Sequence, residues 1–439
     1  MKQKSFRKIT NEIVALVTLL VFMPVSFAGE VASPKEISSP VPELTLPEVI
    51  KEAIARNPEI EAAHKNWEAE KAKIWTQTLP DPQIGVEYWG KNETCYDVSQ
   101  TVPFPGKMLL KRRAQAHEAK RQFELYDAKK KEILQKVKAA YYSYYLAWRQ
   151  VEIFEESVNF LKDFSAVAEK RYSVNEAPQV DVLKAQLEYS KALNTLITLG
   201  QDKESMQADL NALLDRHPNV TLGRPGEPPL PSKEFRYEDL EQVALENRPE
   251  VHAARHHVDH MKAELHATEA DFLPDAMLQY SRRTFSGTDM KDDNIVMVKF
   301  NVPILWFWRQ GSQVKAAKKA KEGAEAELRS TETMTRADLK SMGVKVGTAR
   351  RLVDLYRTTL IPQAENALRV SLTGYEGGTL RFLDLLDSER SWLDFQLEYC
   401  EALAKYWTYL ASLERVIGKD ISHLDNLNGF IGDKNGKKS

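Results

Sequence analysis

The sequence predicts a mainly α-helical fold with a smaller β component, laid down twice in one chain. Three observations carry this reading. First, the stretch from Arg171 to Gln186 returns, altered, from Gly374 to Glu389: Tyr172 matches Tyr375, Asp181 matches Asp384 and Leu183 matches Leu386, all 203 positions apart. Each copy holds a Gly/Asn/Pro-type break between two apolar-periodic runs, the mark of a helical hairpin turn. Second, the runs before these breaks place apolar residues four and three apart in alternation, the seam of a coiled coil. Third, each long run follows a pair of short segments of period 2, the spacing of β-strands.

The chain has 439 residues and a formal net charge of −2, so it offers two or three domains' worth of sequence and no basic footprint for nucleic acid. Residues 1–28 read as a secretory signal peptide. Lys2, Lys4, Arg7 and Lys8 form its positive start, Ile13 to Met23 its apolar stretch, and Ser26-Phe27-Ala28 a small-residue cleavage site. A retained anchor would need about 20 apolar residues. No Cys follows the cleavage site to take a lipid. No other segment reaches transmembrane-helix length, so entry into a membrane would have to be through β-strands. Cys95 and Cys400, the two cysteines, do not make a disulfide framework.

Residues 29–43 are rich in Pro and Ser and read as extended. The first repeat spans 44–215. It opens with a short helix from Leu46, closed at Asn57-Pro58, and a longer helix to about Thr78. The second repeat, 236–418, opens alike from Tyr237 to Arg248-Pro249, and Pro58-Glu59-Ile60 matches Pro249-Glu250-Val251 at an offset of 191. A period of this size is a duplicated domain rather than a solenoid. Leu79-Pro-Asp-Pro82 and Leu273-Pro-Asp-Ala276 break these helices. Strand hairpins follow at 82–103 and 276–303. Ile84, Val86 and Tyr88, then Thr94, Tyr96 and Val98, carry the alternation in the first; Met277 to Thr284 and Asn294 to Asn301 form the second. Their strands approach the roughly 9–11 residues of a membrane barrel. Soluble surface hairpins are the alternative.

The long helical hairpins occupy 107–215 and 310–418. The first seam runs Ile133, Val137, Ala140, Tyr144, Ala147, Val151, Phe154, Val158, Leu161, Ser165 and Ala168. The second runs Leu339, Met342, Val346, Ala349, Val353, Tyr356, Leu360, Gln363, Ala367 and Val370. At ~1.5 Å per residue the helix from Lys107 to Arg171 is on the order of 100 Å long. A second row, Leu134, Tyr141, Tyr145 and Trp148, would stay wet in a two-stranded coil, so this helix is expected to pack on both sides within a wall. Pro362 is expected to kink the second long helix. Residues 216–235 are a Pro/Gly-rich linker and 419–439 a polar tail.

One chain thus offers four strands. Four cannot close a membrane barrel, and an open edge in lipid is not viable. Closure demands several copies, and three would supply twelve strands and twelve helical rods. The predicted fold is therefore mainly α with a β-barrel, closed by oligomerisation and continued by a long helical tube, and a duct of that length suggests transport across the periplasm.

The duplicated Asn/Arg-Pro-Glu start, the paired strand hairpins and the Tyr-break-Asp-aliphatic-Leu turns resemble the TolC family of outer-membrane efflux channels. The resemblance runs from Leu46 to Gly418. Val102-Pro-Phe-Pro-Gly-Lys107 and Leu360-Ile-Pro-Gln-Ala364 resemble the branch that serves heavy-metal and related RND pumps. The resemblance implies a homotrimer in outer-membrane lipid, its 12-stranded outer-membrane β-barrel continued by a long periplasmic α-helical barrel, with a periplasmic adaptor (membrane fusion) protein and an inner-membrane RND pump as partners. It implies a passive channel, not an enzyme and without a cofactor, whose lower end closes like an iris. By position, Asp384 and Asp387 match the family's acidic rings at that aperture, and Tyr375 and Asp181 match contacts that hold it shut. The first turn carries Asn175 in place of the usual Gly, a residue that also tolerates the left-handed conformation. The family's frequent Arg near the second turn is shifted by one, to Arg381. A type I protein-secretion channel is the alternative within this architecture, and a periplasmic coiled-coil adaptor the alternative outside it. An adaptor would carry one helical hairpin flanked by β-rich domains, not two of each.

Asp384 and Asp387 stand i, i+3 and share a helix face. In a trimer they would set six carboxylates around a narrow opening, attracting cations and titrating as a coupled set; otherwise they are acids at a helix start, where acids are favoured. His252, His256 and His260 recur one turn apart, with His257 and His266 beside them. Such imidazoles can chelate Zn²⁺ or Cu²⁺, yet only Asp259 stands by to complete a set. An exposed helix face accounts for them, and no metal site is assigned. Tyr141, Tyr142, Tyr144, Tyr145 and Trp148 read as wall packing rather than a substrate-stacking site. Trp306, Phe307, Trp308 and Arg309 read as an interfacial aromatic belt or a packed junction. No HExxH, GxSxG, P-loop or dinucleotide motif occurs, which excludes the common enzyme classes.

Overall fold

Each repeat lays down two helices, two strands and a helical hairpin in the same order. The first runs α1 (Leu46–Arg56), α2 (Pro58–Lys73), β1 (Gln83–Tyr88), β2 (Glu93–Val102), α3 (Lys107–Ser173) and α4 (Gln179–Leu213). The second runs α5 (Tyr237–Asn247), α6 (Pro249–Ala270), β3 (Asp275–Phe285), β4 (Asp293–Asn301) and α7 (Trp306–Leu355). A π-helical turn (Tyr356–Leu360), α8 (Ile361–Glu376) and α9 (Phe382–Ile417) complete it. This computed structural model describes residues 43–89, 93–230, 237–286, 289–302 and 306–420, without the side chains of 237–239 and 306–309. The expected signal peptide, residues 29–42, the end of the linker at 231–235 and the tail beyond 420 lie outside them, as do the side chains of Trp306 to Arg309. With six residues, β1 falls short of the expected barrel-strand length.

The helices form a wall four rods wide. In its lower half they pack in the order α4, α3, α9 and α7–α8; in its upper half α2 and α6 stand where α4 and α9 stood. End-to-end joints make the exchange. The Asn57 side chain accepts hydrogen bonds from the Glu59 and Ile60 N–H groups, capping α2, while its Nδ2 donates to the Leu213 carbonyl at the end of α4, 2.9 Å away. One side chain thus satisfies orphan groups of two helices. In the second repeat Gly418 closes α9 with φ 77°, and a Cβ there would come within 2.2 Å of the Asn247 carbonyl oxygen. Asp215, its match 203 positions earlier, has φ 53°.

The first seam is buried as its spacing required: Ile133, Val137, Tyr144, Val151, Val158, Leu161 and Ala168 are all inside. The second row is inside too, for Tyr141 and Tyr145 are buried and Ile153, Ser157 and Phe164 continue it. The aromatic cluster is wall packing: the Tyr141 hydroxyl donates to the Leu44 carbonyl at 3.0 Å, and Tyr144 reaches the Leu222 and Gly223 carbonyls of the linker.

The second seam needs a correction. It holds from Leu339 to Leu360, but Gln363, Ala367 and Val370 are exposed, and Ala364, Leu368 and Tyr375 face inward instead. The cause is the π turn, in which the Ile361 N–H reaches the Tyr356 carbonyl five residues back. Pro362 has no N–H and its ring would strike the carbonyl four residues before it. The wider turn relieves that conflict by taking in one extra residue, and the heptad count slips by one. The expected kink is this π turn.

Cys95 in β2 and Cys400 in α9 are free thiols.

Candidate functional site

The four strands form one antiparallel sheet in the order β1-β2-β3-β4, so the two repeats meet at β2 and β3. Register fixes the faces. Ile84 lies opposite Val98, Val98 opposite Tyr280, and Tyr280 opposite Val296. Directly opposed residues share a face, and these four are 47–80% exposed. Tyr88, Tyr96, Leu278, Val298 and Phe300 are exposed on the same face. The other face carries Gln83, Glu87, Asp97, Ser99, Ser281, Arg283 and Lys299. There Lys299 donates to Gln279 at 2.8 Å, and Arg283 pairs with Glu93 at 3.3 Å. Water ought to wet the wrong side of such a sheet. Among the described residues the apolar face has no partner, and β1 and β4 are both edges.

Lys107 joins sheet to wall. Gly106 turns the chain at φ 102°, and the buried Lys107 ammonium donates to the Leu273 carbonyl at 2.7 Å and to Asp275 at 2.9 Å.

At the far end lie the two hairpin tips. Both turns are Schellman motifs. In the first, the Glu176 N–H reaches the Arg171 carbonyl and the Asn175 N–H the Tyr172 carbonyl; in the second, Thr379 reaches Gly374 and Gly378 reaches Tyr375. The left-handed position falls on Asn175 (φ 61°) and Gly378 (φ 73°), 203 positions apart. Asn175 therefore does here what glycine does in the other copy.

The expected gate residues divide. Tyr375 is 2% exposed and packs on Phe164 and Phe382, with ring centroids 5.0 and 6.3 Å away. Asp181 stands close enough that its charge adds to the burial that raises the Tyr375 hydroxyl pKa. Burial also raises the Asp181 carboxyl, against the pull of Lys184 and Arg171. Asp384 is drawn into its own helix: Arg381 pairs with it at 3.1 Å, and its carboxylate accepts from the Arg381 backbone N–H, the half of a capping box that an N-cap arginine, having no side-chain acceptor, allows. That bond to Arg381 holds the Asp384 carboxyl below its ordinary range. Asp387 is exposed one turn on. Among the described residues Arg381, the shifted arginine, thus ties no second hairpin.

Arg171 does, a role that sequence reasoning missed although the residue opens the repeated stretch. Its guanidinium lies 4.8 Å from the Tyr375 ring centroid, donates to the Tyr375 carbonyl and approaches Glu176 at 3.7 Å. The signal was available only as a buried cation beside an aromatic tip. The histidines are scattered likewise. His252 bonds the Glu246 carbonyl, His260 the Ala114 carbonyl, and His257 lies 3.7 Å from Glu327.

Residues 240–419 match the family described as outer membrane efflux protein. Over 393 residues the chain is 23% identical to the cobalt-zinc-cadmium resistance protein CzcC of Cupriavidus metallidurans, covering 88% of this chain and 92% of that one. Among solved structures, a membrane protein from Pseudomonas aeruginosa matches with a TM-score of 0.74 at 18% identity, over 85% of this chain and 90% of that chain. The outer membrane protein VceC of Vibrio cholerae matches at 0.71 and 16% identity, over 85% and 96%. The fold expected from the sequence and the resemblance to efflux channels are both borne out.

Proposed function

We infer that this chain is an outer-membrane efflux protein, one subunit of a homotrimeric passive duct through the outer membrane and down into the periplasm. The observation that carries this is the sheet: one face apolar and exposed, the other polar, and both edges open. Strand direction alternates across four strands, so β4 of one copy meets β1 of the next antiparallel, and a closed ring leaves no edge in lipid. The apolar face then meets acyl chains and the polar face a wet lumen. The helical wall repeats the pattern. Its outer rods carry unpartnered apolar residues, Leu183, Leu187 and Ile197 on α4 and Val344, Leu355 and Val370 on α7–α8, which supports lateral packing between copies.

The hairpin tips form the aperture, with Asp384 and Asp387 facing the opening and the Arg171–Tyr375–Asp181 cluster holding the tips together. The work is done by a partner pump of the RND type through a periplasmic adaptor, and the channel itself is not an enzyme. The substrate class is divalent heavy-metal cations. Support for that comes from the Cupriavidus relative, a cobalt-zinc-cadmium resistance protein.

Light scattering and negative-stain imaging of the detergent-extracted protein test the duct. A trimer with a rod well over ~100 Å long is expected. A water-soluble monomer absent from the membrane fraction overturns it. Loss of cobalt, zinc and cadmium tolerance on deleting the gene, with protein export unchanged, tests the substrate class; the reverse pattern assigns the channel to secretion.

A further inference from the structure

The histidine that matters most on α6 finds its partner on α3, outside the local cluster. His117 and His256 face each other across the packed α3 and α6, their ring centroids 6.5 Å apart. Each Nδ1 lies 3.9 Å from the same Asp259 oxygen, Oδ2. One donor atom from each of the three residues falls within 4.8 Å of the others. Both Nδ1 atoms are shielded from solvent and have no hydrogen-bond partner among the described residues. A buried imidazole nitrogen without a partner is a cost that folded proteins normally avoid. Here two such atoms point toward one carboxylate that is too distant to bond either. An ion seated among them satisfies all three at once.

We propose that His117, His256 and Asp259 bind one divalent transition-metal ion of the Zn²⁺ or Co²⁺ type, clamping α6 to α3 in the upper wall. Two imidazoles and one carboxylate are a ligand set suited to these borderline ions, with water as the fourth ligand. Asp259 is half-exposed and leaves a path for the ion and that water. Donors about 2.1 Å from a tetrahedral centre stand roughly 3.4 Å apart, so each Asp259 contact need close by only about 0.5 Å. Burial pushes both imidazoles below their ordinary pKa, which keeps their lone pairs free at neutral pH. Lys120 lies near both imidazoles, Arg113 near His117 and Glu124 near His256, so a bound dication meets two cations and two carboxylates. Two neighbours on α6 are already engaged: His260 bonds the Ala114 carbonyl and His252 the Glu246 carbonyl. The site does not depend on the channel reading.

The test is Co²⁺ titration of the full chain, purified in detergent without a polyhistidine tag and stripped with a chelator. The ligand-field absorption of Co²⁺ is followed and the bound metal counted. One Co²⁺ per chain, displaced by Zn²⁺, is expected. His117→Ala, His256→Ala and the fold-sparing Asp259→Asn should each weaken binding by about tenfold or more, while His252→Ala and His266→Ala leave it unchanged. Zn²⁺ should raise the melting temperature of the wild type and not that of Asp259→Asn. The proposal is overturned if no saturable Co²⁺ site exists, or if the three variants bind as the wild type does. It is equally overturned if His252→Ala or His266→Ala abolishes binding.

Discussion

Arg171 offers the sharpest test of how the tips are held. Its side chain is only 15% exposed. It joins the end of α3 to the end of α8 by a charge-assisted hydrogen bond to the Tyr375 carbonyl and by its position over the Tyr375 ring. A hydrogen bond involving a charged group contributes ~1.5–3 kcal/mol, and a cation over an aromatic face ~0.5–2 kcal/mol. Allowing for partial solvation, their joint loss is ~2–4 kcal/mol. At ~1.4 kcal/mol per tenfold, the balance between docked and undocked tips shifts by roughly 30- to 1000-fold. Arg171→Met keeps the apolar stem and removes both terms. Arg171→Lys keeps the charge without the planar fork and should fall between.

The assay is single-channel conductance of purified trimers in planar bilayers, with trimer content matched by gel. Conductance should rise in the order wild type, Arg171→Lys, Arg171→Met. Tyr375→Phe is the internal control. The Tyr375 hydroxyl is buried without a hydrogen-bond partner among the described residues, so its removal should leave the tips closed and the conductance low. Wild-type conductance in Arg171→Met, or an open channel in Tyr375→Phe, refutes the reasoning: the first denies the tie, the second puts it on the hydroxyl instead of the ring and carbonyl.

Three further outcomes can be checked. Asp384→Ala combined with Asp387→Ala should weaken block of the channel by divalent cations; unchanged block removes these acids from the aperture. Val298→Arg, on the apolar face of β4, should cost ~2–4 kcal/mol in membrane assembly, whereas Lys299→Arg, one residue on and on the polar face, should assemble normally; equal behaviour of the two in a heat-modifiability gel denies a lipid face. The buried Glu389 carboxyl, which accepts a hydrogen bond from Ser157 at 2.6 Å, is raised above the ordinary carboxylate range by burial. An acid raised in this way stabilises the fold fully below its unfolded value of about 4.3 and loses that contribution as pH rises through its folded value. Glu389→Gln should therefore melt higher than the wild type at neutral pH, with the gap closing at about pH 4; melting curves across that range decide.

The sequence was readable wherever structure follows local spacing. The α3 seam, the alternation in the strands and the left-handed break at Asn175 all depend on neighbours a few residues away. What it concealed are pairings across the duplication. Nothing local says that β2 joins β3, that Arg171 reaches Tyr375 204 residues on, or that His256 faces His117 rather than His252. The Asp384 assignment shows a subtler limit. Position and charge marked it, but an acid at the third residue of a helix also serves the helix, and Arg381 binds it there.

The π turn joins these threads. Had α7 continued as a regular α-helix through Pro362, the heptad would have kept Gln363, Ala367 and Val370 inside. One residue of helix is about 100° of rotation. That rotation would carry Tyr375 away from Phe164 and Phe382, and the Arg171 contact would have no ring to rest on. The extra residue instead turns Tyr375 inward and leaves Val370 at the edge of the wall, 65% exposed. A helix that accommodates its own proline thus sets which face meets its sister hairpin and which is left exposed at the edge of the wall. If the chain assembles as the proposed trimer, the lateral contacts follow from the same slipped register as the tip contacts, so a change that erases the π turn should disturb both together.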